Sequence, residues 1–195
     1  MRLIVGLGNV GPEYEWTPHN MGFLAVDALA ERFGIRVTRP EAKALAGRGE
    51  IAGHEVVLAK PQTMMNLSGV SARMLLERYE CEPANLIVLF DEVDLPWGML
   101  RIRDRGVNST HNGLKSIIGA IGTDEFIRVR MGVQPNQQWG DLKDYLLCTV
   151  GREERQIAQE MIVEAADAVE LLLTEGLEKA MSRFNRKVSQ EEASE

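Results

Sequence analysis

LIVLFDEVD, residues 86–94, is the stretch of sequence that most directly decides the fold. Its first five residues form an uninterrupted apolar run, which is typical of a strand buried on both faces of a sheet. Acidic residues follow at once, at Asp91, Glu92 and Asp94. Because ligands bind beyond the carboxyl ends of strands in open α/β sheets, the stretch predicts a central strand and a functional edge.

Strands and helices are predicted to alternate on either side of this stretch. Strands are predicted over residues 2–7, 43–50, 54–60, 86–90, 99–103 and 126–133, and helices over 21–33, 68–79, 112–121 and 153–174. A polar loop is predicted over 134–140, and a short helix is predicted after Gly176. The second and third strands read as a hairpin across Ala52-Gly53, so the sheet is expected to be mixed. The pattern therefore predicts an α/β layered domain.

Length and charge limit the possible functions. A chain of 195 residues is expected to form one domain, and a net charge of −7 argues against non-specific binding to nucleic acid or to anionic membranes. The charge is uneven, however, because residues 98–133 carry six basic and three acidic side chains. Only that segment is expected to meet phosphate groups.

Cysteine content and hydropathy predict a cytoplasmic protein. The two cysteines, Cys81 and Cys148, are too few for a disulfide framework and favour a reducing compartment. No apolar run approaches the ~20 residues of a membrane span, and the N-terminus lacks a signal-peptide pattern.

The glycine pattern GLGNVG, residues 6–11, follows the first predicted strand. It matches the dinucleotide-binding fingerprint, which requires a helix to begin at the glycines and receive the pyrophosphate. Here Pro12 and Pro18 interrupt the chain, and the helix is predicted to begin only near Asn20. A tight turn is therefore favoured over a nucleotide-dependent oxidoreductase, which stays as a rival.

Histidine and acidic residues suggest two kinds of chemistry. His19 and His111 each precede an asparagine at a predicted helix start, while His54 lies beside the hairpin turn. Asn20 and Asn112 are each suggested as the N-cap of the helix that follows. If His19 meets Asp91, the pair would form a general base and the carboxylate that orients it. Carboxylates at a strand end could instead hold Mg²⁺.

Arginines alternate along the last two predicted strands. Arg101 and Arg103 share one face of their strand, as do Arg128 and Arg130 on theirs. Such a cluster suits phosphate binding, or forms an exposed, charged sheet face.

Several separate motifs, in order, resemble the bacterial-type peptidyl-tRNA hydrolase family. They are GLGN (6–9), GPEY (11–14), Thr17, HN (19–20), GF (22–23), KPQTMMNLSG (60–69), DEVDLP (91–96), HNGLKSI (111–117), FIRVRMG (126–132) and KAMSRFN (179–185). The resemblance covers residues 1–187 as one domain and leaves 188–195 as a polar tail. It implies an α/β domain in which helices surround a mixed, twisted sheet.

The resemblance also implies an activity and a set of site residues. The activity is hydrolysis of the ester between a peptide and the 3′-terminal ribose of tRNA, by a cytoplasmic monomer without metal or cofactor. His19 would be the general base and Asp91 would orient it. The amides of Asn9, Asn66 and Asn112 would hold the substrate and the attacking water, with Tyr14, Met65 and His111 lining the same crevice. Arg101, Arg103 and Arg130 would contact tRNA phosphates at the acceptor stem.

The sequence departs from the family pattern at a few positions. Val10, Pro18 and Phe90 stand where the family usually has Pro, Arg and His, and residues 104–110 contain one glycine where the family is glycine-rich. The changed loop motivates a second hypothesis, an RNA-binding protein on the same fold without catalysis.

Overall fold

A computed structural model describes residues 1–106 and 110–185 of the chain. The strands are β1 Arg2–Gly6, β2 Arg39–Glu41, β3 Ala44–Ile51, β4 His54–Pro61, β5 Leu86–Glu92, β6 Leu100–Arg103 and β7 Ile127–Gly132. The helices are α1 Met21–Phe33, α2 Ser68–Arg78, α3 Asn112–Ile121, α4 Leu142–Leu147, α5 Arg152–Thr174 and α6 Leu177–Phe184. The predicted tail, residues 188–195, lies outside the described residues.

A single mixed sheet in the order β2-β3-β4-β1-β5-β7-β6 organises the described chain. Strands β4, β1, β5 and β7 run parallel, whereas β2, β3 and β6 join antiparallel at the two margins. All seven residues of β5 are buried, as its apolar sequence predicts. Parallel strands in the centre place the carboxyl ends of β1, β4, β5 and β7 at one edge.

Helices cover both faces of the sheet and form two hydrophobic clusters. Helices α1, α5 and α6 pack on one face against residues such as Ile4, Leu89 and Val129. Helices α2 and α3 pack on the other face against Val5, Phe90 and their neighbours. The α/β class and mixed sheet predicted from the sequence are confirmed. Of the helices in the described part of the chain, none combines the length and apolar character that a bilayer span requires.

Two elements were missed by the sequence prediction. Strand β2 is only three residues long, and it is held by pairing with β3. Helix α4 follows the predicted polar loop and is six residues long, with Asp141 as its N-cap. Elements this short carry no hydrophobic period, so their formation depends on contacts made in the folded protein.

Arg128 corrects the expectation of a solvent-exposed arginine face. Arg128 and Arg130 do share one face of β7, but Arg128 is only 2% exposed. Its guanidinium lies 4.3 Å from the centre of the Phe126 ring, and Nη2 donates to the carbonyl oxygen of Asp124 at 2.8 Å. Stacking on an aromatic ring and a backbone acceptor allow this arginine to be buried.

Candidate active site

A cavity of about 730 Å³ opens beyond the carboxyl ends of β1, β4 and β5. Eight side chains proposed from the sequence line it: Asn9, Tyr14, His19, Met65, Asn66, Asp91, His111 and Asn112. The three arginines proposed to contact tRNA do not line it. Residues far apart in the chain thus meet at the edge of the sheet that the LIVLFDEVD stretch predicts.

His19 and Asp91 form a hydrogen-bonded pair within this cavity. His19 Nδ1 donates to Asp91 Oδ2 at 2.8 Å, and the two side chains are 13% and 1% exposed. Because Asp91 holds Nδ1–H, the other ring nitrogen, Nε2, is left as the acceptor. This geometry is that of a histidine base oriented by a carboxylate.

His111 binds the second oxygen of the same carboxylate. Its Nε2 lies 2.9 Å from Asp91 Oδ1, and its Nδ1 lies 3.3 Å from the backbone nitrogen of Leu114. His111 is therefore the N-cap of α3, whereas the sequence suggested an asparagine in that role. The centres of the two histidine rings are 4.9 Å apart.

The electrostatics of the pair follow from burial and charge. Burial opposes ionisation of Asp91, but electrostatic attraction to the His111 and His19 rings, together with the hydrogen bonds they donate, outweighs it and holds the pKa of Asp91 well below its usual range. Burial also disfavours the His19 imidazolium, yet the charge and hydrogen bond of Asp91 raise the pKa of His19 above 6.5. The site therefore contains an ionised carboxylate beside a histidine that binds protons more tightly than usual.

A metal centre fits this arrangement less well than a hydrogen-bonded triad. One donor atom each from His19, Asp91 and His111 lie within 4.8 Å of one another, close enough in principle to share an ion. Both carboxylate oxygens, however, already accept hydrogen bonds from the rings. The neighbouring Glu92 faces Arg130 instead, so the acidic stretch does not converge on one point.

Asn20, which the sequence suggested as a helix cap, has a different role. Its side chain makes no cap bond to α1. Instead Oδ1 accepts the backbone N–H of Asn9 at 2.8 Å, and Nδ2 donates to the Asn9 carbonyl oxygen at 3.0 Å. This paired contact fixes the turn after β1, so that the Asn9 backbone is satisfied within the protein. No local sequence pattern distinguishes such a clamp from a cap.

The glycine turn brings β1 close to α1. A Cβ atom at Gly6 would lie 2.1 Å from the carbonyl oxygen of Gly22, and one at Gly8 would lie 2.5 Å from the Phe23 ring. The chain then makes two 3-10 turns, Pro12–Tyr14 and Pro18–Asn20, before α1 begins at Met21. The glycines thus permit close packing, and no α-helix begins at the turn to receive a pyrophosphate.

Helix α4 forms a wall of the cavity that the sequence did not predict. Leu142, Lys143, Leu146 and Leu147 of this helix line the cavity. Tyr145 anchors the helix, because its hydroxyl donates to the Val133 carbonyl oxygen at 2.8 Å and accepts from Trp97 Nε1 at 3.1 Å. Burial raises the pKa of Tyr145 to about 12, so the hydroxyl stays protonated and able to donate.

The arginines form a strip on the face of β6 and β7 that also carries Phe90. Arg101 is directly opposite Arg130, and Arg103 is opposite Arg128. Within the described residues, neither Arg101 nor Arg103 has a carboxylate in ion-pair range, whereas Arg130 Nη2 lies 2.7 Å from Glu92 Oε2. Opposed like charges are unfavourable in a sheet, so a bound anion would stabilise this strip. Glu92 connects this strip to the cavity, since it lines the cavity wall.

Comparisons with known proteins identify the family of the chain. The family model described as peptidyl-tRNA hydrolase matches residues 3–192. A peptidyl-tRNA hydrolase from Solibacter usitatus is 50% identical over 187 residues, covering 96% of this chain and 95% of the relative. One from Koribacter versatilis is 49% identical over 188 residues, covering 96% and 94%.

A solved structure agrees at the level of the whole fold. The crystal structure of peptidyl-tRNA hydrolase from Acinetobacter baumannii superposes with a TM-score of 0.89 at 34% identity, covering 95% of this chain and 94% of that one. Sequence, fold and the gathering of the site residues lead to one conclusion: the chain belongs to the peptidyl-tRNA hydrolase family.

Proposed function

We propose that the chain hydrolyses the ester between a peptide and the 3′-terminal ribose of tRNA, with His19 as general base. The bond between His19 Nδ1 and Asp91 is the observation that carries this proposal, since it leaves Nε2 to accept a proton. Water bound at Nε2 would lose its proton as its oxygen attacks the ester carbonyl. The bond between the carbonyl carbon and the ribose 3′-oxygen then breaks, and this oxygen takes the proton back from the His19 imidazolium. The products are free tRNA and a peptide with a new carboxyl group.

Asp91 supports this step electrostatically. When His19 takes the proton, the resulting imidazolium stands beside an ionised, buried carboxylate that stabilises it. The same contact holds the ring in the tautomer that the reaction needs. The raised pKa of His19 helps it accept a proton, but it also requires a pH high enough to keep the free base neutral.

Amide side chains are proposed to hold the substrate. Asn9, Asn66 and Asn112 line the cavity around His19 and Asp91. Carboxamides both donate and accept hydrogen bonds, so they can bind a peptide backbone and stabilise the developing oxyanion without selecting side chains. That property suits a substrate whose peptide has an arbitrary sequence. Tyr14 and Met65 complete the wall proposed to contact substrate.

The arginine strip is proposed to bind the acceptor stem of tRNA. Arg101, Arg103 and Arg130 are partly exposed on adjacent strands, close to the cavity through the contact between Arg130 and Glu92. An A-form stem is recognised by its shape, phosphates and 2′-hydroxyls. Confining the basic groups to this strip would let an acidic protein bind RNA at one place.

The remaining features are proposed from the sequence and from the fold. We propose one domain over residues 1–187, acting as a cytoplasmic monomer where translation produces peptidyl-tRNA. Two hydrophobic clusters on opposite faces of a single sheet support one domain. No metal or cofactor is assigned a role. Residues 107–109, in the loop that departs from the family pattern, lie outside the described residues.

The proposed base is tested by cleavage of N-acetylaminoacyl-tRNA by wild type, His19→Ala and His54→Ala. His19→Ala is expected to lose about 10²- to 10⁴-fold in kcat, as removal of a general base does. His54 is the matched control, because it is exposed beside the hairpin turn, and His54→Ala should keep wild-type activity. Undiminished cleavage by a folded His19→Ala protein would overturn the mechanism. Binding of tRNA by the wild type without cleavage would favour the non-catalytic hypothesis.

A further inference from the structure

His111 is bound at both ring nitrogens, and these contacts define which nitrogen donates and which accepts. The backbone N–H of Leu114 can only donate, so His111 Nδ1, 3.3 Å away, must accept. The carboxylate of Asp91 can only accept, so His111 Nε2 must carry the hydrogen. With the hydrogen on Nε2 and the lone pair on Nδ1, the His111 ring makes both contacts at once.

Packing leaves the His111 ring little freedom to turn. The side chain is 5% exposed and meets the Phe90 ring edge-on, with centroids 5.0 Å apart. A Cβ atom at Gly113 would lie 3.0 Å from His111 Cε1 and 2.6 Å from Met65 Sδ, so even a methyl group has no space there. The N–H of His111 is consequently held at one position relative to Asp91.

Asp91 is thereby held at both oxygens by groups from different parts of the chain. Oδ1 accepts from His111 at 2.9 Å and Oδ2 accepts from His19 at 2.8 Å. If the first bond were lost, the buried carboxylate could rotate, and its charge would be available to His19 alone. Rotation of the carboxylate would change the orientation of the His19 ring. The undivided charge of Asp91 would raise the proton affinity of His19.

We propose that His111 is a positioning residue that acts through Asp91: its Nε2–H fixes the carboxylate that orients His19. This inference rests on the proposed function, in which His19 is the base. It assigns to His111 a task different from contacting substrate, and the α3 N-cap becomes part of the active-site support. The cap bond and the Asp91 bond are separable, because they use different nitrogens.

Two substitutions separate these tasks. The amide nitrogen of asparagine is three bonds from Cα, like His Nδ1, whereas that of glutamine is four bonds away, like His Nε2. His111→Asn can still cap α3, since asparagine is a favoured N-cap residue, but it cannot reach Asp91. His111→Gln can donate to Asp91 but is a poor cap. His111→Asn should therefore keep the cap of α3 and lose the hydrogen bond to Asp91. His111→Gln should keep the hydrogen bond to Asp91 and lose the cap.

The measurements are kcat, KM and pH profile with N-acetylaminoacyl-tRNA, thermal unfolding, and NMR titration of the His19 ring. We expect His111→Asn to lose about 10- to 100-fold in kcat, as when a hydrogen bond to a charged group is removed, with KM changed less than about twofold. The titration midpoint of His19 and the acid limb of the profile should move to higher pH. The kcat of His111→Gln should lie between those of His111→Asn and wild type, with about a third or more of the loss in log kcat restored. Its His19 midpoint should return towards the wild-type value, and it should melt at a lower temperature than His111→Asn because glutamine is a poor N-cap.

Other ionisable groups near the cavity must be considered in reading the pH profile. Asp91 and Glu92 come from β5 and His19 from the 3-10 turn, and Tyr14 and Lys143 line the same wall. Glu92 is paired with Arg130. NMR avoids this overlap, because the chain has only three histidines and the signal of His19 can be followed by itself.

Several results would overturn the inference. The first is that His111→Asn keeps the wild-type kcat and an unmoved His19 midpoint. The second is that His111→Asn and His111→Gln lose kcat equally while both remain folded. A rise of KM at constant kcat in both would make His111 a substrate contact instead. If the wild type cleaves no peptidyl-tRNA, the proposed function fails, while the His19 titration still decides whether His111 acts through Asp91.

Discussion

Replacing Gly69 by alanine is expected to force α2 and α3 apart. A Cβ atom at Gly69 would lie 2.0 Å from the carbonyl oxygen of Ser116, against the 3.4 Å at which ordinary contact begins, a shortfall of about 1.4 Å. It would also lie 2.8 Å from the Cβ of Ala120. The obstruction is backbone, so no side chain can rotate away. The Gly69 N–H, moreover, donates to Ser116 Oγ at 3.0 Å, which holds the helices at this spacing.

The expected loss follows from these distances. Overpacking costs about 1–3 kcal/mol, and a clash with backbone belongs towards the upper end of that range. We therefore expect Gly69→Ala to lower the free energy of unfolding by about 2 kcal/mol, and the melting temperature by about 4–8 °C for a chain of this size. Because α3 begins beside His111, its displacement should also reduce kcat.

Gly119 supplies the matched control on α3. It is exposed within the helix, and a Cβ there meets nothing within 4 Å. Gly119→Ala should therefore raise stability by about 1 kcal/mol through helix propensity and leave kcat unchanged. Thermal unfolding by circular dichroism, with urea unfolding as a second measurement, compares both variants with wild type. A Gly69→Ala protein that melts at or above the wild-type temperature would refute the packing explanation.

Two further predictions concern charge. The raised pKa of His19 predicts that kcat/KM rises with pH through a midpoint above 6.5, because only neutral His19 is a base. Asp91→Asn should move that midpoint to lower pH and reduce kcat by about 10³-fold or more. An unmoved midpoint in this variant would contradict the pairing of His19 with Asp91. Arg103→Ala should weaken tRNA binding and reduce the slope of log Kd against log salt by about 1, measured by fluorescence anisotropy. Arg48→Ala, which removes an arginine paired with Glu55 in the β3–β4 hairpin, is its control, and equal effects of the two would contradict a localised binding strip.

The sequence was sufficient to predict the elements whose own residues bury a regular apolar pattern. Strand β5 is continuous in apolar residues and is buried throughout, while α5 repeats apolar residues at helical spacing and packs on the sheet. The eight cavity residues were found from family motifs, and the sheet edge follows from the acids after β5. Local pattern and final environment agree in these segments.

The misses share a physical cause, which is dependence on distant partners. Helix α4 is anchored by hydrogen bonds from Tyr145 to Trp97 and Val133. Both partners lie outside α4, so the sequence of the helix does not reveal these contacts. Arg128 alternates with the partly exposed Arg130 on β7, but the Phe126 ring and the Asp124 carbonyl bury it. Alternation predicts which face a side chain takes, and it does not predict what else covers that face.

The bridge from His111 through Asp91 to His19 was missed for a related reason. The sequence brought His19 and Asp91 together as a hypothesis and left His111 as a residue lining the crevice. Asp91 can bind both His19 and His111 only because α3 lies close to β5. The position of α3 is set by its packing against neighbouring elements, which local sequence does not show.

The parallel pairing of β1 has a consequence for how the protein acquires its activity during folding. β1 lies between β4 and β5, so the start of the chain must wait for strands that come much later in the sequence. His19 and Asp91 are themselves 72 positions apart. Contacts of such long range form slowly, because a large loop must close before they are made. Refolding should therefore yield helical signal early and hydrolytic activity only in the last phase, and a chain still emerging from the ribosome has no catalytic pair until β5 has been synthesised and has paired with β1.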